Sequence, residues 1–264
     1  EYEPAEELVN SDTQLDINAL SSVANSILDS RENFKTSLSQ EGLENIFSVG
    51  TSAGGARAKA VIAINAATGE IRSVQVDTKA GFEHWIVKFD GITKNKDKGS
   101  RYDPLAYTRI EYAYNLMAKD SGIDINESRL YESEGHYHFM SKRFDREDKA
   151  KIHMQTLGAL AHLDFNQPAC CGYELLGQIM LRLNLPNKSL EDLFRRMVFN
   201  VFAKNHDDHV KNFAFLMNRQ GVWSLAPAYD ITYACDKDNY WLHGHQLTIN
   251  AKTTDISSDD ILEC

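Results

Sequence analysis

The residues best placed to do chemistry lie in one stretch, NHDDHVKNFAFL, residues 205–216. Asp207 and Asp208 stand between His206 and His209, and Asn212 follows. Three kinds of chemistry are open. His206, Asp207 and His209 offer metal ligands of the hydrolase type, although an H-x-x-H spacing here lacks a third nearby ligand. Asp207 offers a general base. Asp207 and Asn212 form D-x-x-x-x-N and, with Asp230 further on, supply hard oxygen donors of the kind magnesium prefers and histidine does not provide. Each piece also has a plain structural reading. A D-x-x-x-x-N match arises by chance, histidine beside aspartate is an ordinary loop pairing, and Asp230 can simply stabilise a turn.

The elements around these residues narrow the choice. SLEDLFRRMVFNVFAKN, residues 189–205, predicts a helix with Ser189 as N-cap. Its expected apolar face is Leu190, Leu193, Phe194, Met197, Val198, Val201 and Phe202. NFAFLMN and VWSLAP, joined by a turn at NRQG, predict a β-hairpin that leads to Asp230. Upstream, residues 16–30 space their apolar side chains as a helix does. AKAVIAI and EIRSVQV predict strands around a turn at NAATGE, and EHWIVKF predicts a third strand carrying Lys88. Residues 104–122 predict a helix with an early proline and a closing glycine, and it carries Glu111. RLYESEGHYHFMSKRFDR predicts two short strands about Gly135. Beyond about residue 150 the pattern turns helical, in TLGALAHL and YELLGQIMLRL. Strands first and helices later predict an α+β protein with two lobes: a strand-rich N-lobe over residues 1–145 and a mainly helical C-lobe over 146–264.

A glycine turn, a strand lysine, a helix glutamate, a D-x-x-x-x-N loop after a helix, and a late aspartate occur here in the order used by protein-kinase-like phosphotransferases. In that chemistry Asp207 accepts or orients the hydroxyl proton, Asn212 and Asp230 hold magnesium, and Lys88 grips phosphate with Glu111 as its ion-pair partner. TSAGGARAK, residues 51–59, is a small-residue turn whose backbone N–H groups can cradle phosphate. Taken singly, Lys88 reads equally as a solvated strand residue, Glu111 as helix surface and AGG as a loop. No G-x-G-x-x-G, H-R-D or D-F-G is present, and no Walker A motif.

Bulk properties exclude several classes. The 264 residues are 42% hydrophobic and 25% charged, as in ordinary globular proteins. No apolar run reaches the ~18 residues of a membrane span, and the first twenty residues are acidic and polar, unlike a secretory signal. Lys and Arg number 28 against 38 Asp and Glu, a net charge of -10. That argues against a broad nucleic-acid or membrane-surface face. Cys170, Cys171, Cys235 and Cys264 lack metal-ligand spacing and read as reduced thiols.

TSAGGARAKAVIAI, IVKF, MSKRFDR, HMQTLGALAHLDF, NHDDHVKNFAFL and LAPAYDI together resemble the HipA-like serine/threonine kinases of bacterial toxin–antitoxin systems, over residues 45–260. The resemblance implies a two-lobed kinase-like fold, ATP and Mg2+ as cofactors, and a cytoplasmic bacterial enzyme that phosphorylates a protein, with aminoacyl-tRNA synthetases as the family's known targets. It implies Asp207 as the catalytic aspartate and Asn212 and Asp230 as metal ligands. It places nucleotide contacts at Gly54, Gly55, Ala56, Arg57, Lys59, Lys88, His209, Lys211 and Tyr229, and an adenine hinge at Lys142, Arg143 and Phe144. Ser52 matches the serine that the family autophosphorylates. A phosphate there adds nearly two negative charges beside the phosphate loop and is expected to draw it from the nucleotide. A helix-turn-helix antitoxin is the implied partner. The family's small N-terminal subdomain finds no room in the first 45 residues, so either this stretch of chain omits it or a separate small protein supplies it. ISSDDILEC announces a helix that then lacks length, so the C-lobe is expected to continue.

Three other readings stay open. Aminoglycoside- and choline-kinase-type phosphotransferases also use D-x-H-x-x-N, which Asp207, His209 and Asn212 satisfy, but Asn205 stands where they carry histidine. A catalytically silent nucleotide-binding module and the metal hydrolase on His206, Asp207 and His209 are the others.

Overall fold

A computed structural model describes residues 17, 59–73, 81–90, 106–147 and 150–264. Among these, contacts group into two compact units. The first takes the residues up to Arg109 and Ser128–Ala150; the second takes Ile110–Glu127 and Lys151–Cys264.

The first unit is built on an antiparallel sheet. Its strands are β1 (Lys59–Asn65), β2 (Ile71–Ser73), β3 (Phe82–Lys88), β4 (Ser128–Ser133) and β5 (His136–Lys142), in the order β2-β1-β3-β5-β4. The Asn65 side chain accepts the N–H groups of Ala67 and Thr68, and Gly69 takes φ 72°, which closes the predicted β1–β2 turn. β1 is buried from Ala60 to Ile64, so it is a central strand covered on both faces. Ile62, Ile64, Trp85, Val87 and Met140 form the core of this unit with Ile17. A small ladder of β6 (Arg146–Glu147) and β7 (Ala150–Lys151) follows.

The second unit holds most of α1 (Tyr107–Asp120), whose end is closed by Gly122 at φ 76° with Ile123 N–H on the Ala118 carbonyl. It then takes β8 (His153–Thr156), α2 (Leu157–Leu160), α3 (Tyr173–Arg182), α4 (Asn187–Phe202), β9 (Ala214–Met217), β10 (Trp223–Leu225) and α5 (Ser258–Glu263). β9 and β10 form the predicted hairpin. Leu157, Leu176, Met180, Met197, Phe215, Leu247 and Ile249 fill the core. Ser257 caps α5 in a reciprocal capping box with Asp260, as its serines and acidic first turn predict. Among the described residues no helix is long and apolar enough to cross a membrane.

Three expectations are corrected. TLGALAHL is a single helical turn, and the preceding His153–Thr156 is a strand that pairs with β9. Its side chains are too mixed to show a two-residue period, so sheet pairing decides it. α4 begins at Asn187 with Pro186 as its cap, because proline fixes an extended residue just ahead of the first turn. Ser189 therefore sits inside the helix. The buried face is Asp192, Leu193, Arg196, Met197, Phe199 and Asn200, while Phe194 and Phe202 are 45% and 77% exposed. An internal ion pair turns the helix. Arg196 meets Asp192 at 2.7 Å and donates to the carbonyls of Ala226 and Asp124, and Asp192 accepts the Asp124 N–H at 2.8 Å. Hydropathy alone assigns such a pair to solvent, but the mutual ion pair and these backbone partners keep it buried.

Candidate functional site

α4 ends at Phe202 with Ala203 as its C-cap, and the chain enters the loop that holds the expected chemistry. Its two aspartates have different surroundings. Asp208 is 1% exposed, and every bond it makes is internal. It accepts from Tyr173 Oη at 2.9 Å, His245 Nδ1 at 2.9 Å and the Gln246 N–H at 2.7 Å. Asn200 donates to Tyr173 Oη, and Asn205 donates to Asn200 Oδ1, both at 2.9 Å. Burial first, and the Asp208 charge second, push the Tyr173 phenol well above its ordinary value, so it stays a donor. Asp207 is half-buried.

Asn212 is tied to Asp207: its Nδ2 donates to the Asp207 carbonyl at 2.7 Å. With Nδ2 so engaged, Oδ1 is the acceptor atom of that amide. The β9–β10 hairpin returns the chain so that Asp230 lines one small recess with Asn212, Asn205, Asp208 and Tyr229. Asp230 stands at φ 57°, a left-handed conformation that a short polar side chain tolerates. The Asn205 Oδ1 in the same recess is buried and has no hydrogen-bond partner among the described residues. Asn212 and Asp230 are thus oxygen donors beside an orphaned buried oxygen, and this donor chemistry fits a hard divalent cation such as Mg2+.

The remaining loop residues interlock. The Lys211 N–H donates to His209 Nδ1 at 3.2 Å, and Tyr229 Oη donates to the Lys211 carbonyl at 2.5 Å. Burial first, and neighbouring Asp230 second, push the Tyr229 phenol above its ordinary value. The histidines do not converge on a metal. His206 Nδ1 donates to the Leu242 carbonyl at 2.9 Å, and its ring lies 4.6 Å from that of His245. His209 turns toward Phe165. Among the described residues no cluster of three His, Cys, Asp or Glu is arranged to hold a metal.

In the first unit, β1 and β3 place Lys59 and Lys88 directly opposite each other in register. Side chains of opposite residues share one face of a sheet, so the two expected phosphate-binding lysines are neighbours. The Lys88 ammonium also lies 5.9 Å from the centre of the Phe139 ring. Lys142 pairs with Glu83 at 2.5 Å. Arg143 grips Asp145 with two N–H groups, and Arg146 adds a third contact at 2.7 Å. Burial raises the Asp145 pKa, but the Arg143 hydrogen bonds and the two positive charges outweigh it and hold the carboxyl below its ordinary value. The Arg143 N–H donates to the His84 carbonyl at 2.8 Å, which ties this expected hinge to β3. Glu111 is a buried residue of α1. Gly54, Gly55, Ala56, Arg57 and Ser52 lie outside the described residues.

Tyr173, Asn200, Asp208, His245, Gln246 and Phe165 escaped the sequence reading. No local pattern marked them, because HDDH lies in a loop without strand periodicity and the partners of Asp208 are distant in the chain.

A helix, a loop with paired Asp207 and Asn212, and a hairpin that returns Asp230 to the same recess define an oxygen-donor site on a mixed α/β scaffold. The chain belongs to the HipA-like C-terminal domain family, whose model matches residues 51–262. Its fold is similar to that of HipA in the Shewanella oneidensis MR-1 toxin–antitoxin complex of HipA, HipB and operator DNA. The TM-score is 0.60 at 14% identity, covering 97% of this chain and 59% of that one. Two curated relatives carry provisional kinase names. Y4dM of Sinorhizobium fredii is 25% identical over 168 residues, 56% of this chain and 36% of its own. A Haemophilus influenzae protein is 26% identical over 159 residues, 54% of this chain and 46% of its own. The matched stretches span less than half of these relatives.

Proposed function

We propose that this chain is the catalytic part of a serine/threonine protein kinase of the HipA-like type, dependent on ATP and Mg2+. The observation that carries the reading is the single recess shared by Asn212 and Asp230, with Asn212 bonded to the backbone of Asp207. The two units serve as the two lobes. Asp207 accepts the proton of the acceptor hydroxyl at a carboxylate oxygen as the hydroxyl oxygen bonds to the γ-phosphorus, and the bond from the γ-phosphorus to the β–γ bridging oxygen breaks with ADP as leaving group. Lys59 and Lys88 hold phosphate oxygens, and Gly54, Gly55, Ala56 and Arg57 supply further phosphate contacts. His209, Lys211 and Tyr229 border the nucleotide, and Lys142, Arg143 and Phe144 form the hinge. Asn212 and Asp230 would hold Mg2+, which when bound neutralises charge on the phosphates.

Ser52 is the self-acceptor, and its phosphate lowers affinity for ATP. Membership in a HipA-like family, and the partners of the Shewanella protein, support a cytoplasmic toxin controlled by a DNA-binding antitoxin. Its target is another protein, with aminoacyl-tRNA synthetases the first class to assay.

The test is intact-mass and peptide-mapping spectrometry after incubation with Mg-ATP, wild type beside Asp207→Asn. Phosphate on Ser52 in the first and none in the second is expected. Turnover of a small alcohol without self-modification would instead establish the small-molecule phosphotransferase.

A further inference from the structure

Phe165 has no part in the function described above, yet it touches two of the residues that do. It lies at the tip of the loop that follows α2. The loop is firmly held. Asp164 Oδ1 accepts from the Asn166 backbone N–H at 3.0 Å and from Asn166 Nδ2 at 2.9 Å, and the Gln167 N–H donates to the Asp164 carbonyl at 3.1 Å. One end of the loop joins Gly158 through Leu163, and the Gly158 N–H donates to the Val210 carbonyl at 3.0 Å. The other end joins Gln246 through the Ala169 N–H at 2.9 Å. Val210 lies within the Asp207–Asn212 loop, and Gln246 supports Asp208. The Phe165 loop and the catalytic loop are therefore braced against the same backbone.

The Phe165 ring is 37% exposed, so it is not core filling. The Lys211 ammonium lies over its face, 3.0 Å from the ring centre. The His209 imidazole meets it edge-on, with centres 6.3 Å apart at 66°. The Lys211 backbone is pinned on both sides by His209 and Tyr229. Among the described residues no carboxylate pairs with its ammonium. That choice of partner has a chemical meaning. A carboxylate would fix the lysine and cancel its charge, whereas an aromatic face fixes it and leaves the charge and its N–H donors available to an anion.

We propose that Phe165 is a positioning residue for phosphoryl transfer, holding the Lys211 ammonium, with the His209 ring packed beside it, as a fixed cationic edge for the phosphate oxygens. This rests on the phosphotransferase reading. Phe165 touches neither substrate nor metal and acts through Lys211.

The test measures the rate constant for phosphate transfer at saturating Mg-ATP in the full chain. Phe165→Leu keeps apolar bulk without the ring face, and Phe165→Trp keeps the face. Phe165→Leu is expected to fall about three- to tenfold and Phe165→Trp to stay within about twofold of wild type. In a Lys211→Met background, Phe165→Leu is expected to add less than about twofold, since coupled residues are not additive. Urea midpoints of all variants identify simple unfolding, and a Phe165→Leu midpoint below wild type with the full rate loss persisting in Lys211→Met assigns Phe165 to packing and overturns the proposal. So does a Phe165→Leu rate equal to wild type, or a loss shared equally by Phe165→Trp. A wild type that transfers no phosphate overturns the phosphotransferase reading itself. In that event an upfield ring-current shift of the Lys211 side-chain protons, lost in Phe165→Leu, would show the contact to be present without the role.

Discussion

Replacing Asp208 should cost stability, and replacing Asp207 should cost activity, although the two carboxylates are adjacent. Asp208→Ala strands three buried donors: Tyr173 Oη, His245 Nδ1 and the Gln246 N–H. Each stranded donor costs about 1–3 kcal/mol, and removing one partner from a buried charged cluster typically totals about 3–5 kcal/mol. At roughly 2–4 °C per kcal/mol in a chain of this size, the melting temperature should fall by about 6–20 °C. Asp208→Asn should cost less than Asp208→Ala, because its carbonyl oxygen still accepts from a buried donor that the alanine would strand. Asp207→Ala, at a half-buried position, should stay within about 1 kcal/mol of wild type. Urea denaturation followed by circular dichroism gives the stabilities, and phosphate transfer from Mg-ATP gives the activities. The reasoning fails if Asp208→Ala is as stable as wild type, or if Asp207→Ala unfolds the protein as readily as Asp208→Ala does.

Two further outcomes follow from buried titratable groups. His206 has its pKa lowered from 6.5, first by burial, with the neighbouring His245 also lowering it and the Leu242 hydrogen bond opposing, and His84 and His138 are likewise lowered by burial. The unfolded chain therefore binds more protons below about pH 6.5. Stability is expected to be full above that pH and to drop as pH falls toward the lower folded values, by at most about 1.4 kcal/mol per pH unit per group. His206→Gln should flatten the fall in urea midpoint between about pH 7 and 5, and an unchanged slope would refute the assignment. Burial pushes the Cys171 thiol up to about 11. Its alkylation in the native protein should be slow at neutral pH and rise about tenfold per pH unit up to that value, whereas fast native alkylation at pH 7 would contradict its burial.

The sequence by itself determined elements whose patterns are local. The β1–β2 turn follows from Asn65 and Gly69, the helix over Tyr107–Asp120 from its spacing and Gly122, and the β9–β10 hairpin from apolar runs about a turn. The family was also legible, because chain order and residue type carry it, and Asn212 and Asp230, both picked out by residue type and order, line one recess. Only tertiary structure decided which aspartate of HDDH is structural, since that depends on Tyr173, His245 and Gln246, which lie 35 to 38 residues away. Only it turned α4 toward Asp192 and Arg196, because burying an ion pair depends on partners at Asp124 and Ala226. Only it brought Phe165 beneath Lys211, a contact made by two loops braced on shared backbone. Local patterning records what a residue needs from its neighbours in the chain. A buried polar group is satisfied by residues distant in the chain, and those meet only when the fold closes.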